Sequence, residues 1–189
     1  VMRWTPVRPN WPNEPVRLYG PGVDSGTFDY FTEAIVGKAQ AARGDFTASE
    51  DDNVLVQGIS GDKNALGFFG YAYYAENKSR LKLVAIDGGN GCVLPTEETI
   101  TNGTYTPLSR PIFIYVRKEA AARPEVREFV RYYLSDQARK LVPEVGYIPF
   151  PGKVYELALA RFEKGALGSI FAGWTPQKGS VQQVLAASQ

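Results

Sequence analysis

The chain has 189 residues, of which 44% are hydrophobic, with 21 basic and 20 acidic side chains and a formal net charge of +1. This length suffices for one or two domains that fold without disulfide or metal support. Because the sequence contains no histidine, a Ser-His-Asp triad and a His-ligated zinc site are excluded. Cys92 is the only cysteine, so an intrachain disulfide is excluded. The balanced, interleaved charge argues against a nucleic-acid partner.

The first half of the sequence predicts an extended connector followed by alternating strands and helices. Four prolines within residues 1–15 exclude a helix there and predict an extended entry segment. The remaining elements predicted in this half are a strand over 16–19 that ends at glycines, a helix from Phe28 to Gly37, a helix over 54–59 behind the capping residues 49–53, and strands within 66–74 and over 81–86.

The second half predicts one buried strand and several helices. The continuous apolar run 110–116 is typical of a strand covered on both faces. An apolar stripe from Val126 to Val142 behind Pro124 predicts a long helix. The other predicted elements are a turn over 87–95, a helix over 97–102 that ends at Gly103, a helix over 154–164 that ends at Gly165, and a terminal helix with a capping box of Ser180 and Gln183. This alternation indicates an α/β fold with a mainly parallel sheet.

The segment between the first strand and the first helix has the composition of an anion site. A helix begins with unpaired backbone N–H groups and the positive end of its dipole. Gly26 lets an anion approach the backbone closely, and the hydroxyls of Ser25 and Thr27 add donors, which suits a tetrahedral oxyanion. The alternative is that Ser25 or Thr27 only caps its helix.

Other chemistry is less well supported by the spacing of these residues. The spacing of Gly20, Gly22 and Gly26 is one residue too long for a dinucleotide fingerprint, and no ATP-type phosphate loop occurs. Ser25 has neither a histidine nor a Ser-x-x-Lys partner that could activate it as a nucleophile. The carboxylates of Glu50 and Asp51 could act as acid and base, but they are better explained as residues that begin a helix.

Four segments in register resemble the periplasmic phosphate-binding proteins of ABC transporters, the PstS-like family with the type II periplasmic-binding fold. These segments are residues 20–35, 48–56, 65–74 and 107–113. The resemblance covers nearly the whole chain. It implies two α/β domains joined by a hinge, with the first domain incomplete in this chain. It also implies a non-enzymatic periplasmic or extracytoplasmic protein without a cofactor, which captures inorganic phosphate and delivers it to an ABC transporter permease.

The resemblance assigns roles to individual residues of this chain. Ser25, Gly26 and Thr27 match the family's phosphate-binding motif, and Asp24 is a neighbour that orients the loop. Many members carry an arginine four residues before the serine, where this sequence has Pro21. Arg17 and Arg110 are candidate substitutes, and Arg110 could equally brace a hinge.

The resemblance also implies a division of the chain. Residues 1–15 would be an entry connector or hinge, 16–106 the second domain that carries the motif, and 107–189 the returning part of the first domain. The missing N-terminal segment of the same protein would then be a partner, either as a separate chain or as a part that was lost. Without it, a sheet built on residues 112–116 would have unpaired edges.

Three alternatives stay open at this point. The same fold could serve another oxyanion, such as sulfate or molybdate. A phosphate-ester hydrolase could use Ser25 or an acidic residue, although the lack of histidine disfavours it. A structural or adhesive protein could retain the fold without binding phosphate.

Overall fold

The computed structural model describes residues 1–173 and 180–188, and the chain forms two compact units, Val1–Leu83 and Val84–Gln189. The division into 1–15, 16–106 and 107–189 stays a prediction, and its positions 174–179 and 189 lie outside the described residues. None of the helices in the described part is long and apolar enough to cross a membrane.

The first unit is built on a parallel three-stranded sheet. Strand β1 (Arg17–Gly20) lies between β2 (Thr47–Ala48) and β3 (Ala65–Gly67) and pairs with both in parallel. Helix α1 (Gly26–Val36) connects β1 to β2, and α2 (Asp52–Gly61) connects β2 to β3. The predicted α/β alternation and parallel sheet are therefore confirmed in this unit.

Local sequence explains where both helices begin and how they pack. Ser25 caps α1, and the side chain of Asp51 caps α2 by accepting from the N–H of Asn53 at 2.9 Å. Gly37 ends α1 in the left-handed region with φ 81°, which glycine adopts without strain. Leu55 of α2 is fully buried, and Phe28 of α1 is 3% exposed. These apolar side chains anchor the two helices in the unit.

The N-terminal segment differs from its prediction. Residues 1–15 contain no helix, as expected, but the segment folds back on itself instead of running as an extended connector. The N–H of Trp4 donates to the carbonyl of Glu14 at 3.1 Å, and the rings of Trp4 and Trp11 pack edge to face with centroids 5.3 Å apart. The indole of Trp4 also donates to the carbonyl of Asn64. Aromatic packing thus overrides the extended preference of the prolines.

Two predicted strands of the first half are wrong in large part. After β3, residues 71–76 form helix α3 (Tyr71–Glu76), in which the rings of Tyr71 and Tyr74 lie 5.8 Å apart on one face. Residues 81–85 form no strand, and only β4 (Ile86–Asp87) pairs, antiparallel, with β5 (Cys92–Val93). The composition of residues 66–74 and 81–86 favoured strands, but a segment forms a β-strand only where a neighbouring segment pairs with it.

The second unit is mainly helical. The helices in its described part are α4 (Glu97–Thr101), α5 (Pro124–Tyr133), α6 (Asp136–Arg139), α7 (Gly152–Glu163) and α8 (Val181–Ala187), with 3₁₀ turns at Ala120–Ala122 and Pro143–Val145. Val154 of α7 packs with Val181 and Leu185 of α8 in a buried cluster. The capping box of Ser180 and Gln183 is present as predicted. The short helix before Gly103 and the helix before Gly165 are also confirmed.

Two predictions for this unit are wrong. Residues 110–116 form no strand, and Ile112 and Tyr115 are 59% and 84% exposed rather than covered. The predicted long helix ends at Tyr133, because the hydroxyl of Ser135 accepts from the N–H of Ala138 and begins a new helix.

Candidate functional site

The topology of the first unit brings three loops to one edge of the sheet. In the strand order β2-β1-β3, the central strand β1 has β2 on one side and β3 on the other. The chain therefore adds strands in opposite directions from β1, which is the arrangement of a topological switch point. Open α/β sheets bind ligands in the crevice outside the carboxyl ends of their strands at such a point. The N–H of Ser49, after β2, donates to the carbonyl of Gly20 at the end of β1 at 3.2 Å. The predicted anion loop therefore lies at the edge where a ligand site is expected.

The start of α1 combines a helix cap with unpaired donors. The Ser25 hydroxyl accepts from the N–H of Thr27 at 3.2 Å, and the Ser25 carbonyl accepts from the N–H of Asp29 at 3.1 Å. The N–H groups of Gly26 and Phe28 have no acceptor among the described residues. Ser25 is thus a helix cap, and its O–H proton can still be donated. Two backbone donors and a hydroxyl at a helix N-terminus suit an anion.

Asp24 lies in this loop, next to an acidic residue that was not predicted as part of the site. The N–H of Asp24 donates to Oε1 of Glu50 at 3.3 Å. A side chain on Gly22 would overlap the Glu50 carboxylate, so the absence of a side chain at Gly22 makes room for it. From the sequence, Glu50 was considered as part of an acid–base pair and explained as a helix-starting residue, and it was not joined to this loop. Its position after β2, beside the end of β1, is the signal that could have placed it here.

The third loop adds a partly buried carboxylate. Asp52 accepts a hydrogen bond from the backbone of Gly70, which follows β3. Burial raises the pKa of Asp52 above its usual value, the hydrogen bond from Gly70 opposes this rise, and the charges of Asp51 and Glu50 add to it. The loops at this edge of the sheet therefore carry the carboxylates of Glu50 and Asp52.

The candidate arginines do not join this site within the first unit. Arg17 is the first residue of β1, about 10 Å along a four-residue strand from the loop. This position makes it a poor substitute for the arginine absent at Pro21. Arg110 is exposed and belongs to the second unit, so its participation stays a prediction. The described residues contain no group of three acidic or cysteine side chains placed to hold a metal ion.

The fold and this site define a class of protein. The family model for the PBP superfamily domain matches residues 3–137, and the chain belongs to this superfamily. The expected periplasmic-binding fold is therefore confirmed.

The chain is also similar to individual proteins of known name. The chain is 50% identical to Protein SphX of Synechococcus elongatus over 188 residues, which are 99% of this chain and 55% of that protein. It is 35% identical to the Phosphate-binding protein PstS of Staphylococcus haemolyticus, over 85% of this chain and 50% of that protein. The resemblance to PstS-like proteins is confirmed.

The chain is also similar to a solved structure. The crystal structure described as a possible phosphate binding protein from Planctomyces limnophilus has a TM-score of 0.72 and 50% identity, over 88% of this chain and 60% of that one. The chain spans about half the length of the curated relatives it matches. The PstS relative is named as a phosphate-binding protein, which agrees with the expectation that the chain is not an enzyme.

Proposed function

We propose that this chain is part of an extracytoplasmic receptor that binds inorganic phosphate and passes it to the permease of an ABC transporter. The observation that carries the proposal is the start of α1 at a topological switch point, where the N–H groups of Gly26 and Phe28 have no acceptor within residues 1–173 and 180–188. The similarity to proteins named as phosphate-binding supports phosphate over other oxyanions.

Each residue of the motif has a role in this proposal. The N–H of Gly26 donates to a phosphate oxygen, and the hydroxyls of Ser25 and Thr27 donate to others. Asp24 orients the loop through its backbone N–H. Arg110 adds positive charge if the intact protein places it near the anion. The resemblance implies that further ligands come from the first domain, so the proposal concerns the intact protein.

Titration calorimetry tests the proposal on the intact natural polypeptide that includes these 189 residues. We expect phosphate to bind and sulfate to bind much more weakly. Replacing Ser25 and Thr27 together by alanine should weaken phosphate binding at least about tenfold, because hydrogen bonds to charged groups are lost. Ser180→Ala is the matched control, since it removes a helix cap in the other unit. Tight sulfate binding without phosphate binding would refute the phosphate assignment.

A hydrolase acting on phosphate esters is the candidate from another class. It predicts turnover of p-nitrophenyl phosphate that depends on Ser25 or on an acidic residue such as Glu50. The receptor predicts binding without turnover. A phosphatase assay with and without a chelator distinguishes the two functions.

A further inference from the structure

Glu50 reaches from the loop after β2 into the loop after β1. Its Oε1 accepts from the N–H of Asp24 at 3.3 Å, and a methyl group on Gly22 would overlap its carboxylate. Gly22 itself is buried. The end of the Glu50 side chain therefore lies against the Gly22 backbone, in space that is available only because residue 22 has no side chain.

This contact fixes the turn that leads into the anion site. The N–H of Ser25 donates to the carbonyl of Gly22 at 3.1 Å, which closes the turn at one point. The bond from Asp24 to Glu50 holds it at a second point. Ser25 is the residue that caps α1, so the conformation of this turn determines how the N–H of Gly26 and the Ser25 hydroxyl are presented.

We infer that Glu50 is a positioning residue for the phosphate site, which acts through the hydrogen bond from Asp24 and the close contact with Gly22. This inference rests on the proposed function. The charge of Glu50 has the opposite effect from its hydrogen bond, because a negative charge close to the site repels an anion. Glutamine at this position keeps an acceptor for the N–H of Asp24 and removes the charge.

The test compares Glu50→Ala with Glu50→Gln by phosphate titration of the intact polypeptide. We expect Glu50→Ala to weaken binding about fivefold or more, because a hydrogen bond that orders the loop is lost. Glu50→Gln should bind within about twofold of the unchanged protein or more tightly. Glu33→Ala is the control, because it removes an exposed acidic side chain of α1 that lies outside the loops at the ends of β1 and β2. Unchanged affinity in Glu50→Ala, or equal losses in both Glu50 variants, would overturn the inference.

A second measurement does not depend on phosphate. Hydrogen exchange of the Asp24 amide, without ligand, should accelerate about tenfold in Glu50→Ala and stay slow in Glu50→Gln. Gly22→Ala should accelerate it in the unchanged background and have little further effect in Glu50→Ala, because the clash needs the carboxylate. Unchanged exchange in Glu50→Ala would refute the positioning role. Absence of phosphate binding by the unchanged protein, with the expected exchange, would instead refute the proposed function while retaining the loop contact.

Discussion

Two segments of this chain that the sequence predicts as strands, one with alternating apolar and polar residues and one continuously apolar, have different structures. Residues 17–20 form β1, which pairs on both sides, with β2 and β3. Residues 110–116 are longer and more apolar, yet they form no strand, and Tyr115 is 84% exposed. An apolar run becomes a strand only when other segments supply hydrogen-bond partners and cover its faces. The comparison shows that apolar character alone did not predict which segment would pair.

The largest expected effect lies in the helix that packs on the paired strand. Leu55 of α2 is fully buried, so Leu55→Ala should lower the free energy of unfolding by about 2–5 kcal/mol through lost burial and a residual cavity. Urea unfolding followed by circular dichroism measures this change. Val54→Ala, at a neighbouring position that is 49% exposed, is the control and should cost much less. Similar losses in both variants would show that this unit is not stabilised by its α2 core.

The elements around Leu55 also show what the sequence could predict. Local signals placed α1 and α2 well, because Ser25, Asp51 and Gly37 are capping residues whose effect depends on adjacent backbone. Residues 81–85 and 110–116 were mispredicted because pairing depends on segments distant in sequence.

The residues of the candidate site also separate into those predicted from local sequence and those that only the fold brings together. The run Asp24 to Thr27 was found from its local pattern of glycine and hydroxyl residues. No local pattern joins Glu50 to this loop, since Glu50 and Asp24 lie 26 positions apart and meet only through the parallel pairing of β1 and β2. Asp52 and Gly70 likewise meet because β2 and β3 end at the same edge.

A smaller effect is expected at the two serine caps. Ser25→Ala and Ser180→Ala should each lower the free energy of unfolding by about 1 kcal/mol, because each serine side chain accepts from a backbone N–H at a helix start. Thermal unfolding followed by circular dichroism measures both losses. Only Ser25→Ala should also weaken phosphate binding. Equal losses of phosphate affinity would mean that the effect of Ser25 is general destabilisation and not loss of a ligand.

Asp52 gives a prediction about pH in the first unit. Its pKa is raised in the folded protein, mainly by burial, so its contribution to stability is fully present below its unfolded pKa and is lost as the pH rises through the folded pKa. The change that Asp52→Asn makes to the free energy of unfolding should therefore be more favourable at pH 7 than at acidic pH. The difference should be less than about 1 kcal/mol, because the group is only half-buried. Urea unfolding at pH 4 and pH 7 measures the difference. A larger stabilisation at pH 4 than at pH 7 would contradict the assigned pKa direction.

The smallest effect is expected in the unpaired apolar run. Ile112 and Tyr115 are exposed and lie outside any strand, so Ile112→Ser and Tyr115→Ser should each change the free energy of unfolding of this 189-residue chain by no more than about 0.5 kcal/mol. Urea unfolding measures both. The same substitutions in the intact natural polypeptide provide the informative contrast, because burial of these side chains there would raise the cost to about 1.5–3 kcal/mol. Equal, small effects in both contexts would show that the run stays exposed and that its apolar character does not come from a covered strand.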